Sequence, residues 1–212
     1  MRVDFHVHTA FSPDSRVTPE RLAELVTERG LDGVAVTDHD SVGGGLVLLA
    51  LEPPFLVVVG TEVSSRDGDI IGLFVREDIE PGLTAEETVA RIKVQGGVVV
   101  VPHPFDRFRS SAIGGPGLER ISGEVDAVEA FNSRNLMSAD DRRARDWALE
   151  NGVPMVGGSD AHTESEVGRG WAELAGFGDA EGLKRALQGS AVGGRRSGPV
   201  VHVATKIEKR RG

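Results

Sequence analysis

Short apolar runs recur along this chain, and most of them end in a histidine or an acidic residue. The first run sets the pattern. Val3, Phe5 and Val7 alternate with Asp4, His6 and His8, and a period of two reads as a strand. Side chains two apart on a strand share a face, so His6 and His8 point the same way. Two neighbouring imidazoles suit one transition-metal ion. Taken alone, the pair equally suits a solvent-facing strand edge, so the rest of the chain has to decide.

The runs alternate with helical segments. Thr18 and Pro19 open a helix with Leu22, Leu25 and Val26 on its apolar face, closed by Gly30. A strand over 33–37 follows, then a helix over 42–51 stopped by Pro53 and Pro54. A strand over 55–59 leads through a turn at 66–69 to an extra strand over 70–75. Thr84 and Glu87 form a capping-box pattern for a helix ending at Gln95. An all-apolar strand over 98–101 has the composition of one buried on both faces. Residues 105–117 read as a flap-like loop. Strands over 127–131, 153–156 and 171–175 enclose a helix from Ser138 to Gly152, and a last helix follows Asp179. From Arg195 the chain reads as a basic tail. Strand–helix alternation gives parallel βαβ units, about seven of them, in one domain over 1–194. No Gly-x-Gly-x-x-Gly follows the first strand, which argues against a dinucleotide-binding sheet. The expected fold is α/β, a small distorted seven-stranded (β/α)7 barrel resembling a TIM barrel.

On that fold the chemistry converges. His6 and His8 end the first strand, His39 follows the second, Glu62 the third, His103 the fourth, and Asp160 and His162 the sixth. In a parallel barrel the strand C-termini open onto one face. His202, in the tail, is the exception. The chain has no cysteine, so any ion is held by nitrogen and oxygen. Five histidines with Asp14, Glu62 and Asp160 exceed the needs of one ion, so two or three divalent ions (Mn, Zn or Fe) are expected. Glu62, with two oxygens, is the natural bridge.

Composition restricts the partners. A net charge of −9 disfavours an extended nucleic acid. No apolar run reaches the ~18 residues that span a bilayer. The first strand begins at once, leaving no room for a signal peptide, and a reducing cytoplasm is the expected location.

The motifs together resemble the PHP (polymerase and histidinol phosphatase) family: Phe5-His6-Val7-His8-Thr9, Thr37-Asp38-His39-Asp40, Gly60-Thr61-Glu62, Pro102-His103-Pro104 and Ser159-Asp160-Ala161-His162. They run in the family's order over nearly the whole chain. The resemblance implies a distorted seven-stranded barrel, a trinuclear metal centre and metal-dependent phosphoesterase activity. It implies one ion at His6, His8, Glu62 and Asp160, a second at Glu62 and His103, and a third at Asp14, His39 and His162. Many relatives carry a histidine where this chain has Asp69, which would serve the second ion as a harder oxygen ligand.

The expected reaction is hydrolysis of a small anionic phosphoester, a nucleotide or other monoester, by a metal-bridging hydroxide. Glu62, Asp160, His162 and Arg134 are the expected catalytic residues, Arg134 by gripping phosphate. Arg107 and Arg169 are further candidates for that grip. Asp38 is expected to orient His39, Asp40 to cap the following helix, and Glu129 and Asn132 to face the pocket. Three other functions fit a cluster of this kind. One is a metal-dependent amidohydrolase. The second is a 3′ exonuclease, against which stands the lack of tyrosine and the presence of only two tryptophans. The third is a non-catalytic metal-binding interaction module.

Overall fold

The computed structural model describes residues 1–198; His202 and most of the basic tail lie outside them. Nine strands form one sheet in the order β7-β6-β5-β4-β3-β2-β1-β8-β9. Six of them, β1 (Arg2–Val7), β2 (Gly33–Val36), β3 (Leu56–Ser65), β5 (Val98–Val101), β6 (Ala127–Asn132) and β7 (Met155–Gly158), follow the expected apolar runs. β1, β2 and β3 pair in parallel, as do β5, β6 and β7. Between the two sets lies β4 (Gly68–Leu73), antiparallel to both neighbours. The sheet nearly closes where β7 returns to β1: Asp160 N–H donates to His6 O at 2.7 Å and His8 N–H to Ala161 O at 2.9 Å.

The expected seven-stranded barrel is therefore corrected to a nearly closed nine-stranded one. The run read as a seventh parallel strand is β8 (Gly170–Glu173), which lies antiparallel to β1. It pairs antiparallel with β9 (Ala191–Gly194), a strand with no counterpart among the expected ones. A strand's period of two reports which face is buried and carries nothing about direction or partner. β3 also runs past its expected end, because its second half pairs with β4 through the Arg66–Asp67 turn.

Six helices cover the outside. α1 (Pro19–Glu28) is capped by Thr18, whose hydroxyl accepts from Arg21 N–H, and α3 (Ala85–Val94) by the expected capping box of Thr84 and Glu87. α2 (Gly43–Ala50) packs with α1 over the β1–β3 side. α4 (Gly114–Ile121) begins inside the stretch read as a loop, since Gly114, Gly115, Pro116 and Gly117 hide a helical start. α5 (Ser138–Asn151) ends at Gly152, which takes the left-handed conformation. A buried cluster of Val3, Phe5, Ala35, Val58, Ile71 and Val100 fills the barrel, and α6 (Ala180–Leu187) adds Leu183 and Leu187 to it. No helix among the described residues is long and apolar enough to cross a membrane.

Candidate metal centre

The β-strand ends bring together every residue that the sequence nominated as a ligand. His6 Nε2 and His8 Nε2 stand 3.1 Å apart. Glu62 Oε2 lies 3.4 Å from each of them and 3.2 Å from His39 Nδ1. Glu62 Oε1 lies 3.0 Å from His103 Nε2. Asp160 Oδ1 is 3.6 Å from His8 Nε2 and 3.8 Å from His6 Nε2. Asp14 Oδ1 stands 3.4 Å from His162 Nε2 and 3.7 Å from His39 Nε2. Asp69 is the outermost, with Oδ2 4.0 Å from His103 Nε2. It reaches the rim because β4 runs antiparallel, so that its beginning meets the other strands' ends. Apart from His39, which is partly exposed, all of these side chains are buried.

Neighbouring groups decide which nitrogens face inward. Glu129 Oε1 sits 3.2 Å from His6 Nδ1, so that nitrogen carries a proton and Nε2 faces inward. Ser12 Oγ donates to Asp38 Oδ1 at 2.8 Å and therefore accepts from His8 Nδ1 at 3.0 Å. His8 Nε2 is bare. His6 Nε2 meets it at 3.1 Å; burial opposes a charge on His6, but Glu62, Asp160 and Glu129 outweigh it and hold the imidazole well above its ordinary pKa, so a proton lies where a bound cation would replace it. Glu62 Oε2 and Asp160 Oδ1 are buried and accept no hydrogen bond. Donor atoms bound at about 2.1 Å around a tetrahedral ion stand about 3.4 Å apart. The spacings here match that value, so the residues fit divalent ions. Among the described residues, three sets hold their ligand atoms within 4.8 Å of one another: His8, His39 and His162; His6, Glu62 and His103; His6, His8 and Asp160.

The electrostatics agree. Burial, together with the nearby charges of His162 and His39, holds the His8 imidazole well below its ordinary pKa, keeping it neutral. Burial opposes ionisation of Glu62, but the charge of His6 and the hydrogen bond from His103 outweigh it and hold the carboxylate low. At Asp160 burial is likewise outweighed, first by Arg109 and then by His6. Burial and the charge of Glu62 push Asp69 up to about 6.

Around the centre, some expectations are revised. Asp38 accepts from Thr9 N–H at 2.6 Å and from Ser12 Oγ, so it reaches His8 through Ser12 where the sequence suggested His39. Asp40 binds Ser64 N–H at 2.7 Å, fastening β3 instead of capping α2. Arg134 is buried beside His162, with Nε 3.3 Å from Glu166 Oε1; Glu166 Oε2 accepts from His162 N–H at 3.2 Å, and His162 Nδ1 lies 2.9 Å from Asp160 O, which can take its proton. Arg107 pairs with Asp140 and Arg169 with the Ser165 carbonyl, both away from the cluster. A further arginine at the cluster is Arg109, whose Nη2 binds Asp160 Oδ2 and whose Nε lies 3.2 Å from Asp106. Its side chain is 22% exposed, which places it at the opening. Sequence reasoning missed it because one arginine in an irregular loop carries no periodic signal. Asn132 Nδ2 donates to Asp160 Oδ2 at 3.1 Å and to Glu129 Oε2 at 2.8 Å. Of five non-glycine residues at positive φ, three border the cluster: Asp40 (53°), His103 (30°) and Asp160 (54°). Such backbone strain is a mark of functional sites.

Comparison with known proteins gives the same answer. The family model described as PHP domain matches residues 4–96, and that described as PHP-associated matches 140–191. The protein MJ1587 of Methanocaldococcus jannaschii is 38% identical over 146 residues, spanning 63% of this chain and 82% of its own. MJ0417 of the same organism is 33% identical over 178 residues, or 82% of this chain and 71% of its own. Among solved structures, a two-domain protein from Bacteroides vulgatus, described as containing a predicted PHP-like metal-dependent phosphoesterase, superposes with a TM-score of 0.72 at 19% identity. The match covers 99% of this chain and 69% of that one. The lesion-specific endonuclease EndoQ of Pyrococcus furiosus gives 0.65 at 19% identity, covering 91% and 58%. From its sequence matches, this chain belongs to the PHP family.

Proposed function

We propose that the chain is a hydrolase, a metal-dependent phosphoesterase that cleaves a small phosphate ester. The observation that carries this reading is the group of inward-facing imidazole nitrogens and unsatisfied carboxylate oxygens that meet at the barrel rim. His6, His8, Glu62 and Asp160 would hold one ion, Glu62, His103 and Asp69 a second, and Asp14, His39 and His162 a third. When bound, divalent ions supply Lewis acidity toward a phosphoryl oxygen and an ionised water near neutral pH. Arg109 at the opening binds the anionic ester and offsets its charge. Arg134, beneath His162, pairs with Glu166, whose other oxygen accepts the His162 backbone N–H, and so holds that residue in place. Asp160 sits between the two arginines, which keeps it ionised.

The test is phosphate release from a panel of monoesters, nucleotides and short oligonucleotides, with Mn2+, Zn2+ or Fe2+ added to the full chain. Release from a small monoester is the expected result. Turnover confined to oligonucleotides would favour a nuclease, the activity named for EndoQ. No release by metal-loaded protein would sink the phosphoesterase reading. Arg109→Ala removes a charged hydrogen-bond donor, worth about 1.5–3 kcal/mol, and is expected to raise KM roughly 10- to 100-fold.

A further inference from the structure

The antiparallel β8–β9 pair delivers the chain to an unexpected place. After Gly194 the backbone crosses the loop between β6 and α5, the loop that carries Arg134. Arg195 N–H donates to Arg169 O at 2.7 Å. Arg196 Nη1 donates to Asn135 O, and Nη2 pairs with Asp141 Oδ2 on α5. Asp141 Oδ1 in turn accepts from Asn135 Nδ2 at 2.6 Å. Ser197 N–H donates to Ser133 O at 2.7 Å. Ser133 Oγ donates to Ser159 O at 2.6 Å, so it accepts from Ser197 Oγ at 3.1 Å. Residues on both sides of Arg134 are therefore fastened by the same four-residue segment. Its approach depends on Gly194: a Cβ there would stand 2.2 Å from Phe131 Cε1 on β6. The Arg196 guanidinium then lies over the same ring, 5.7 Å from its centre.

We infer that residues 194–197 form a strap, and that Arg196 is a positioning residue that keeps the Arg134 guanidinium on Glu166, the carboxylate that holds the His162 backbone N–H. The inference rests on the reading of His162 as part of the metal centre. It also gives the two strands beyond the expected barrel a purpose. They carry the chain across the seam to the β6–α5 loop, where the last bond to the sheet is Ser133 N–H to Gly158 O at 3.1 Å. A short polar segment such as Ser133–Asn135 opens easily unless tied down.

Two measurements on the full-length chain test the strap. Hydrogen exchange of the metal-free protein reads the loop, and titration with Mn2+ followed by electron paramagnetic resonance reads the site. Arg196→Ala is expected to speed exchange at Ser133 and Asn135 by about 10-fold or more. It is also expected to weaken Mn2+ binding by about 10-fold, the scale found for partners that orient ligands. Arg134→Ala is expected to weaken Mn2+ binding similarly, and adding Arg196→Ala to it should cost nothing more. Arg196→Lys, which keeps the charge but loses the fork, should recover part of the loss. Unchanged exchange in Arg196→Ala overturns the strap. So does a loss of Mn2+ affinity of equal size with and without Arg134. Should Arg196→Ala not fold, Ser197→Ala removes one hydroxyl contact and is read against the same criteria. Phosphate release is a separate readout: its absence beside a normal strap response would remove the phosphoesterase and leave the strap standing.

Discussion

Ser12 shows how much one hydroxyl contributes. Its single proton goes to Asp38, which obliges it to accept from His8 Nδ1 and His39 N–H. The tautomer of His8 is fixed by that choice, and the bare Nε2 faces Glu62 and Asp160. Ser12→Ala is expected to weaken metal binding by about 10- to 100-fold while leaving the fold intact, as measured by elemental analysis after dialysis against dilute metal. Glu62 touches four imidazoles, of His6, His8, His39 and His103. Glu62→Gln keeps the shape and removes the charge. It is expected to lower bound metal and abolish phosphate release together, and metal content at the wild-type level would contradict the bridging role. The clustered histidines, Glu62 and Asp160 were legible in the sequence because each ends or follows an apolar run, whereas Asp14 and Asp69 lie in turns. Ser12 and Arg109 were not, because neither residue type nor spacing marks a loop side chain that acts through a neighbour.

At the level of elements, β7 is the strand on which closure depends. A Cβ on Gly158 would stand 2.4 Å from both His6 Cβ and Glu129 Oε1, and one on Gly157 2.5 Å from Trp171 O. The two glycines let β1 and β8 lie directly against β7. Gly158→Ala forces β1 outward at His6. It is expected to cost about 1–3 kcal/mol, the usual range for overpacking, and to lower metal content as well. Thermal melts with elemental analysis check both effects; a melting temperature and metal content equal to wild type would contradict the close-packed seam. The helices α1 and α3 were readable from their caps, since Thr18 and the Thr84–Glu87 pair act within one turn of chain. The start of α4 was hidden by its glycines and proline. The direction of β8 was not readable at all, because its partner β1 is about 170 residues away in sequence.

For the whole molecule, the barrel assembles a cost along with a site. Glu62, Glu129, Asp69, Asp14 and Asp160 are buried near one another, and their mutual repulsion is only partly offset by arginines and imidazoles. Bound cations should relieve it, and binding to the folded state alone stabilises by about 2.7 kcal/mol at 100 times Kd. For a chain of this size that corresponds to roughly 5–10 °C in Tm. Chelation is expected to lower Tm by that amount and re-addition of Mn2+ to restore it, in scanning calorimetry. A Tm indifferent to chelator would mean that the rim does not hold ions.

The donor set, the strand runs and the capped helices belong to the amino-acid order, because each arises from neighbours within a few residues. Which nitrogen of each imidazole looks inward, which arginine stands at the opening and where the last strand pair leads belong to the folded chain. Those features depend on contacts between Glu129 and His6, Arg109 and Asp160, and Arg196 and Asp141, pairs that only three-dimensional closure brings within bonding distance.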